Sequence, residues 1–457
     1  MAYQAGRTGW RAAIVAAGLA LAAMTAPARA ETLADALVSA YRESNLLEQN
    51  RAVLRATDED VAGAIAALRP VFAFVADSGY TRTVLSAAHS ASIGISASLT
   101  LFDSGRSRLA VLIAQESVLA ARESLVQVEH GVLLDAVSAY FDVRSAIERV
   151  AINENSVRVI GEELRAAQDR FDVGEVTRTD VALAEAQLAS ARASAAAASG
   201  SLTVAREAYK AATGHYPANL APAPRPPALP ATLEEAKAIA LRTHPLIREA
   251  QRQVTISELQ VSLAGAQRGP SVDATVRAGR TDTGDDEMSA FVNLSQPIYS
   301  GGALSSLHRQ AIAGRDASRA ALLQAGVTIA QSVGEAWSAI AVARAQIGAT
   351  DEQIVAATSA YNGVREEANL GARTTLDVLD AEQDLLDAQA LRIDAEANLQ
   401  VSIYSLLASM GLLTAQHLNL GIPIYDPAAY YEAVKNAPLT STRGQNLDRV
   451  LRAIGKQ

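Results

Sequence analysis

The sequence predicts an α+β protein built by tandem duplication, with two long antiparallel α-helical hairpins of coiled-coil type and a pair of amphipathic β-strands before each. Three observations carry that prediction. The first is self-similarity. Thr32, Leu33, Ala36, Arg42, Leu46 and Pro70 match Thr232, Leu233, Ala236, Arg242, Leu246 and Pro270 at an offset of 200, and from about residue 100 the offset becomes 197. There Gly105 faces Gly302, Tyr140 faces Trp337, and Gly174 faces Gly371. The second is the absence of proline from residues 71–216 and 298–422, which leaves each half room for very long helices. The third is strict alternation of apolar and polar residues ahead of each such stretch, the period of a strand with two unlike faces.

The N-terminus reads as an export signal. Arg7 and Arg11 precede the apolar run Ala12–Ala23, and Pro27, Ala28, Arg29 and Ala30 supply small residues for cleavage after Ala30. The run is well short of the roughly 20 residues a spanning helix needs. Removing residues 1–30 takes three arginines from a formal charge of −9 and leaves −12. An acidic exported chain is a poor partner for nucleic acid. The chain has no cysteine, which excludes disulfides, thiolate nucleophiles, cysteine metal sites and N-terminal lipidation.

The first repeat is read as residues 31–216: a helix ending near Pro70, a β-hairpin over about 71–103, and a long helical hairpin turning at Gly174. Residues 217–230, PANLAPAPRPPALP, hold six of the 14 prolines and read as a stiff, extended connector. The second repeat, 231–421, has its β-hairpin over about 271–300 and its helical turn at Gly371. Residues 106–172 and 303–369 number 67 each, roughly 100 Å as continuous helix. Val181, Leu188, Ala195, Leu202 and Tyr209 in one returning helix, and Leu379, Leu386 and Ile393 in the other, recur as heptads and define a narrow buried seam. A tail, 422–457, ends in an amphipathic stretch at Leu447, Val450, Leu451 and Ile454.

In 91–101, Ala91, Ile93, Ile95, Ala97, Leu99 and Leu101 share one face, with Ser92, Ser96, Ser98 and Thr100 on the other. In 271–281, Val272, Ala274, Val276 and Ala278 oppose Ser271, Asp273, Thr275, Arg277 and Thr281. Residues 71–84 and 288–299 are expected to pair with these, and DTGDDE, 282–287, forms an acidic tip. An apolar face against lipid and a polar face against water suit a membrane barrel. Four strands cannot close one, because the smallest have about eight, and open edges are not tolerated in lipid. The barrel must therefore be shared between chains.

Both helical turns carry one motif. Gly174 is followed by Thr177 and Asp180, and Gly371 by Thr374 and Asp377. Each glycine relaxes the backbone, and each Thr–Asp pair has capping-box spacing, with aspartate in place of the usual Glu or Gln. Capping accounts for one aspartate per turn. It does not account for Asp380, whose counterpart in the first repeat is Leu183.

With Leu-Phe-Asp-Ser-Gly at 101–105, Pro-Ile-Tyr-Ser-Gly-Gly at 297–302 and the Gly-x-x-Thr turns, the chain resembles the TolC-like family of outer-membrane efflux and type I secretion channels. The resemblance covers residues 31 to about 421. It implies a homotrimer in which three copies close a β-barrel in the outer membrane above a hollow periplasmic helical tunnel. It implies a periplasmic adaptor and an inner-membrane ABC or RND-type pump as partners, with no cofactor. It also implies a gate: Asp377 and Asp380 from three chains ring the closed inner end, and Arg373 ties to Thr179 and Asp180 of the first turn. Where the family's best-known member has a tyrosine three residues before the second glycine, this chain has Ala368.

A periplasmic adaptor is the alternative, but it would carry one hairpin flanked by a split lipoyl-like domain. An exported enzyme fits less well: none of the six histidines has metal-site spacing, and no nucleophile elbow or phosphate loop is present. His130 and His308 read as ordinary helix residues, Tyr140 and Trp337 as packing residues.

Overall fold

The computed structural model describes residues 30–82, 87–437, 446, 449–450 and 452–453. The leader, apart from Ala30, lies outside the described residues, as do Leu447, Leu451 and Ile454 of the tail. The elements run α1 (Leu33–Glu43), α2 (Asn45–Ala66), β1 (Val71–Arg82), β2 (Ala87–Phe102), α3 (Arg106–Asp172), α4 (Arg178–Thr213), α5 (Leu233–Thr243), α6 (Pro245–Ala266), β3 (Ser271–Thr281), β4 (Asp286–Ser295), α7 (Ala303–Asn369), α8 (Thr375–Ser409) and α9 (Ala428–Val434). The fold class read from the sequence holds. Among the described residues, no helix is long and apolar enough to cross a membrane.

The chain divides into two compact units. The first comprises Met1–Ser44, Val132–Leu229 and Ala336–Leu406. On α4 the heptad positions Leu188 and Tyr209 are buried, and Val181, Ala195 and Leu202 are half-buried, while most of the helix is exposed. Leu188 and Ala184 pack on Ile160 of α3, and Leu379 of α8 joins the same cluster. The proline-rich connector does more than span a gap. Its backbone pairs with Glu31, whose N–H donates to the Asn219 carbonyl at 2.8 Å and whose carbonyl accepts from Ala221 at 2.8 Å. Tyr140, fully buried, donates its hydroxyl to the Ala221 carbonyl at 2.8 Å. Tyr209 donates to the Glu31 carboxylate at 2.5 Å, His215 sits 2.8 Å from the same oxygen, and the Ala218 N–H donates to the other. Burial, then the Glu31 carboxylate, pushes the Tyr209 hydroxyl pKa up.

The second unit comprises Asn45–Gly131, Pro230–Glu335 and Leu407–Gln457. It holds one antiparallel sheet in the order β1-β2-β3-β4. The register places Phe72, Ala97, Val276 and Ala290 in one row and Phe74, Ile95, Ala278 and Met288 in another on the same face. This apolar face is open in the single chain: Phe72 and Phe74 are each 73 % exposed. The intervening rows are more polar, with Ser96, Arg277 and Ser289 beside Ala73, although Val71 and Phe291 flank Ser98 and Thr275 on that face. Gly94 and Gly279 meet where β2 and β3 pair, and a Cβ on Gly94 would lie 2.5 Å from the Ala278 carbonyl oxygen, so only glycine permits that approach. Ser92, Ser96, Thr275, Arg277, Glu287 and Ser289 are among the residues lining a concavity of about 360 Å³.

Three details differ from the sequence reading. The single helix read before each β-hairpin is two, α1 and α2 parting at an extended Ser44 and α5 and α6 at an extended His244, where Pro245 follows. β4 spans Asp286–Ser295 rather than 288–299; past Ser295, Pro297 has no N–H for a ladder. The acidic tip is correspondingly shorter. Asp286 and Glu287 already pair with Arg280 and Gly279, and Arg280 donates to the Asp286 carboxylate at 2.9 Å, drawing the strand two residues outward.

Also in this unit, the tail segment lies on α2. Tyr425 and Tyr431 pack against a core of Leu54, Val61 and Val118. Arg51 lies 5.1 Å from the Tyr425 ring centre and Arg122 lies 5.4 Å from that of Tyr431. His130 is buried, edge-on to His244 with ring centres 6.3 Å apart, and burial pushes both down to about 4, so both are neutral near pH 7. His308 is half-buried.

Candidate functional site

The two helical turns belong to the first unit and share one geometry. α3 ends at Asp172 and α7 at Asn369. Gly174 at φ +81° and Gly371 at φ +77° take the left-handed conformation that a helix C-terminus needs and that side chains disfavour. The Glu175 N–H donates back to the Arg170 carbonyl and the Ala372 N–H to that of Glu367, both at 2.9 Å, which satisfies carbonyls the helix ends leave open.

The next helix then starts from a threonine. Asp180 accepts from the Thr177 N–H at 2.8 Å and from its hydroxyl at 2.7 Å, and the Asp180 N–H donates to the Thr177 hydroxyl oxygen at 3.4 Å. Asp377 accepts from the Thr374 N–H at 2.9 Å and hydroxyl at 2.8 Å, with the return bond at 3.3 Å. These bonds stabilise the charged carboxylates. The Thr177 hydroxyl and then its N–H hold Asp180 below the ordinary carboxylate range. For Asp377 the Thr374 N–H leads, followed by the hydroxyl, with the nearby Arg373 contributing less.

Asp380 stands apart. It is exposed one turn along α8, and among the described residues no hydrogen bond or ion pair engages it. At the matching place in α4, Leu183 is also exposed, at 40 %. The second turn thus presents one carboxylate committed to capping and one left to solvent.

Within one chain Arg373 does not reach the first turn. It donates to the Glu367 carboxylate at 2.9 Å, which raises its already high pKa, while Asp180 is occupied by Thr177 and Thr179 is exposed. Glu367 competes successfully because it sits at the end of the adjoining helix, beside the turn that carries Arg373. The two turns are instead joined by Arg170, which donates to the Asn369 side-chain carbonyl at 2.8 Å. Sequence reasoning missed Arg170, Glu367 and Asn369. One signal was available: Arg170 and Glu367 are equivalent positions of the duplication with opposite charge. Ala368, in place of the aromatic residue, is buried with 6 % exposure.

Further along, two contacts join α3 to α8. Glu382, buried, accepts from the Ser156 hydroxyl at 3.1 Å, and burial raises its pKa. Arg149 grips Asp394 through two guanidinium nitrogens, Nε at 3.0 Å and Nη2. Between α3 and α7, Arg365 pairs with Glu163 at 3.3 Å.

Comparison with known proteins places this architecture. The family model described as outer membrane efflux protein matches residues 36–215 and 238–412, which are the two repeats. The outer membrane efflux protein BepC of Brucella suis biovar 1 (strain 1330) is 35 % identical over 433 residues, 93 % of this chain and 94 % of that one. The outer membrane protein TolC of Escherichia coli (strain K12) is 26 % identical over 429 residues, 88 % and 86 % of the two chains. Among solved structures, CusC matches with a TM-score of 0.74 at 19 % identity, covering 84 % of this chain and 92 % of that one. The outer membrane protein VceC from Vibrio cholerae gives 0.71 at 19 % identity, with 83 % and 96 % covered.

Proposed function

The chain belongs to the outer membrane efflux protein family, and from that premise we propose that three copies form the outer-membrane exit duct of a tripartite efflux or type I secretion system. The observation that carries the reading is the sheet: a four-stranded antiparallel ribbon with an exposed aromatic and aliphatic face and a polar opposite face, too narrow to close alone. Three such ribbons joined edge to edge bury every open edge, and the apolar faces meet lipid. The adaptor alternative is set aside, since the family match runs through both helical hairpins.

The duct is a passive conduit with no catalysis of its own. A periplasmic adaptor and an inner-membrane ABC or RND-type pump supply selection and energy. Its gate lies at the two turns. Copies of Asp377 and Asp380 ring the axis at the inner end and attract cations, and Arg373 bridges toward Thr179 and Asp180 of a neighbouring copy, exchanging its local Glu367 partner. Gly174, Thr177, Gly371 and Thr374 set the tips that carry these groups.

Conductance in planar bilayers tests the reading. Asp377→Ala combined with Asp380→Ala should abolish block by divalent cations, and Arg373→Ser should raise the open conductance. Parent-like conductance and block in both variants would refute the gate. A monodisperse monomer in mild detergent, by native mass measurement, would refute the shared barrel itself.

A further inference from the structure

α8 carries Asp377 and Asp380 at its start and is held along α3 by contacts that begin close to them. Leu379 packs in the cluster with Ile160, and the Glu382 carboxylate accepts from the Ser156 hydroxyl at 3.1 Å. The ion pair of Arg149 with Asp394 lies 12 residues, roughly 18 Å, further along α8. Glu382 is 8 % exposed and Ser156 is buried beside it. Among the described residues no cation pairs with Glu382. The charged groups around the seam are already engaged: Arg365 of α7 with Glu163 of α3 at 3.3 Å, and Arg149 with Asp394. Tyr361 of α7 stays protonated near pH 7, because burial, then Glu163 and Glu382 against the pull of Arg365, raises its pKa. From α4 come Ala184 and Leu188. A carboxylate among aliphatic side chains with one neutral donor is costly when charged, and burial raises its pKa against the pull of that hydroxyl. A seam that had only to hold would carry an apolar side chain at 382, as it does at Leu379, Leu386 and Ile393.

We infer that Glu382 is a proton-operated latch on the start of α8: protonated, it closes the seam with α3, and ionised, it loosens the helix that carries Asp377 and Asp380. The neutral acid leaves no charge in the seam and can both donate to and accept from the Ser156 oxygen. The sign follows from the burial. Stability gained from the protonated form is complete below the ordinary value of 4.5 and is lost as pH rises through the raised one. Lifting the start of α8 off α3 returns Glu382 to water, so the lift becomes easier as pH rises. Each copy contributes up to about tenfold for every unit by which burial raises this carboxyl. The two neighbouring ion pairs act with the opposite sign, since acid discharges their carboxylates. Glu382 is a positioning residue, two places beyond Asp380. The latch itself needs only one chain; its effect on conduction rests on the gate proposed above.

The cysteine-free chain lets the seam be read directly. Leu379→Cys places a thiol where the native side chain is 2 % exposed, which a maleimide reaches only when α8 leaves α3. Labelling of the full-length protein in mild detergent is measured from pH 5 to 8 as a ratio to the same chain in denaturant, which cancels the thiol's own titration. With Glu382 present the ratio should rise several-fold across this range. Adding Glu382→Gln should hold it low and level, meeting the Glu382 protein at the acid end. Adding Ser156→Ala, which removes the donor to the charged form, should enlarge the rise. A ratio that ignores pH, or a rise of equal size in Glu382→Gln, would overturn the latch. So would faster labelling of Glu382→Gln at every pH, because it would show that the charge holds the seam. Open probability in planar bilayers over the same range tests the link to the gate, with Asp377→Ala and Asp380→Ala present so that the ring itself does not titrate. A rise with pH that Glu382→Gln removes supports the link. Labelling that follows pH while open probability does not keeps the latch and overturns its coupling to the gate.

Discussion

Replacing Asp58 by asparagine should strengthen the docking of the C-terminal segment at neutral pH and abolish its dependence on acid. Asp58 lies on α2 with no exposed surface, and among the described residues neither carboxylate oxygen has a hydrogen-bond partner. The layer above it is the tail: Tyr430 donates to Glu59 at 2.6 Å, and Arg69 donates to the Ala437 carbonyl at 2.5 Å and to that of Asn436. Desolvation pushes the Asp58 pKa from 3.8 to about 6, against the pull of Arg122 and with a smaller push from Glu59. A pKa raised on folding means the protonated form is the stable one. The stabilisation is complete below 3.8, falls as pH rises through 6, and stays lost above it. A rise of that size corresponds to about 3 kcal/mol. Asparagine keeps the shape without the charge, so about 3 kcal/mol at pH 8 is an upper limit, reduced by the amide's own unmet bonds. Hydrogen exchange of residues 425–437 at pH 4, 6 and 8 reads this directly. The parent should lose protection between pH 4 and 8 while the variant changes little, and the two should converge toward pH 4. A variant less protected at every pH would show that the carboxylate is paired, and the reasoning would fail.

Two further expectations follow from the first unit. Leu379→Ala removes a side chain with 2 % exposure from the cluster of Ile160, Ala184 and Leu188, and should cost about 2–5 kcal/mol, read as a lower midpoint in chemical denaturation, while Val204→Ala on the exposed side of α4 should change little. Tyr209→Phe deletes the hydroxyl that donates to Glu31 and should cost about 1–3 kcal/mol locally, seen as faster exchange at the Glu31 and Ala221 amides with the turns at Gly174 and Gly371 unaffected.

What the sequence made legible were features written in local spacing. The alternation at 91–101 and 271–281 fixes which strand face is apolar whatever the strands pair with, and the Gly–Thr–Asp turns close on themselves within seven residues. Those interactions require no knowledge of the rest of the fold. Features that join distant residues left no such trace. Glu31 is held by Tyr209 and His215, nearly the whole first repeat away, and no periodicity marks that clamp. Asp58 reads as one more polar position on a helix until the tail covers it. Arg373 has a near partner that no spacing rule announces, since within one chain Glu367 on the adjoining helix holds its guanidinium.

The duplication sharpens this distinction, because it presents the same local code in two environments. Glu185 and Glu382 occupy equivalent places after equivalent caps, yet one is exposed and the other buried against Ser156. No rule of propensity or spacing separates them. The difference comes from position in the chain: α3 and α8 have neighbours on both sides, while α4 and α7 each leave one side open. Composition does register that difference. The face of α8 that meets α3 carries Leu379, Leu386 and Ile393, whereas the matching face of α4 carries alanine at all three places. Leucine and isoleucine on an uncovered face would create a large apolar patch prone to indiscriminate association, and alanine keeps that patch small. The first repeat has therefore kept the cap of its twin, while the face of α4 that no helix of the same chain covers has given up its large apolar side chains.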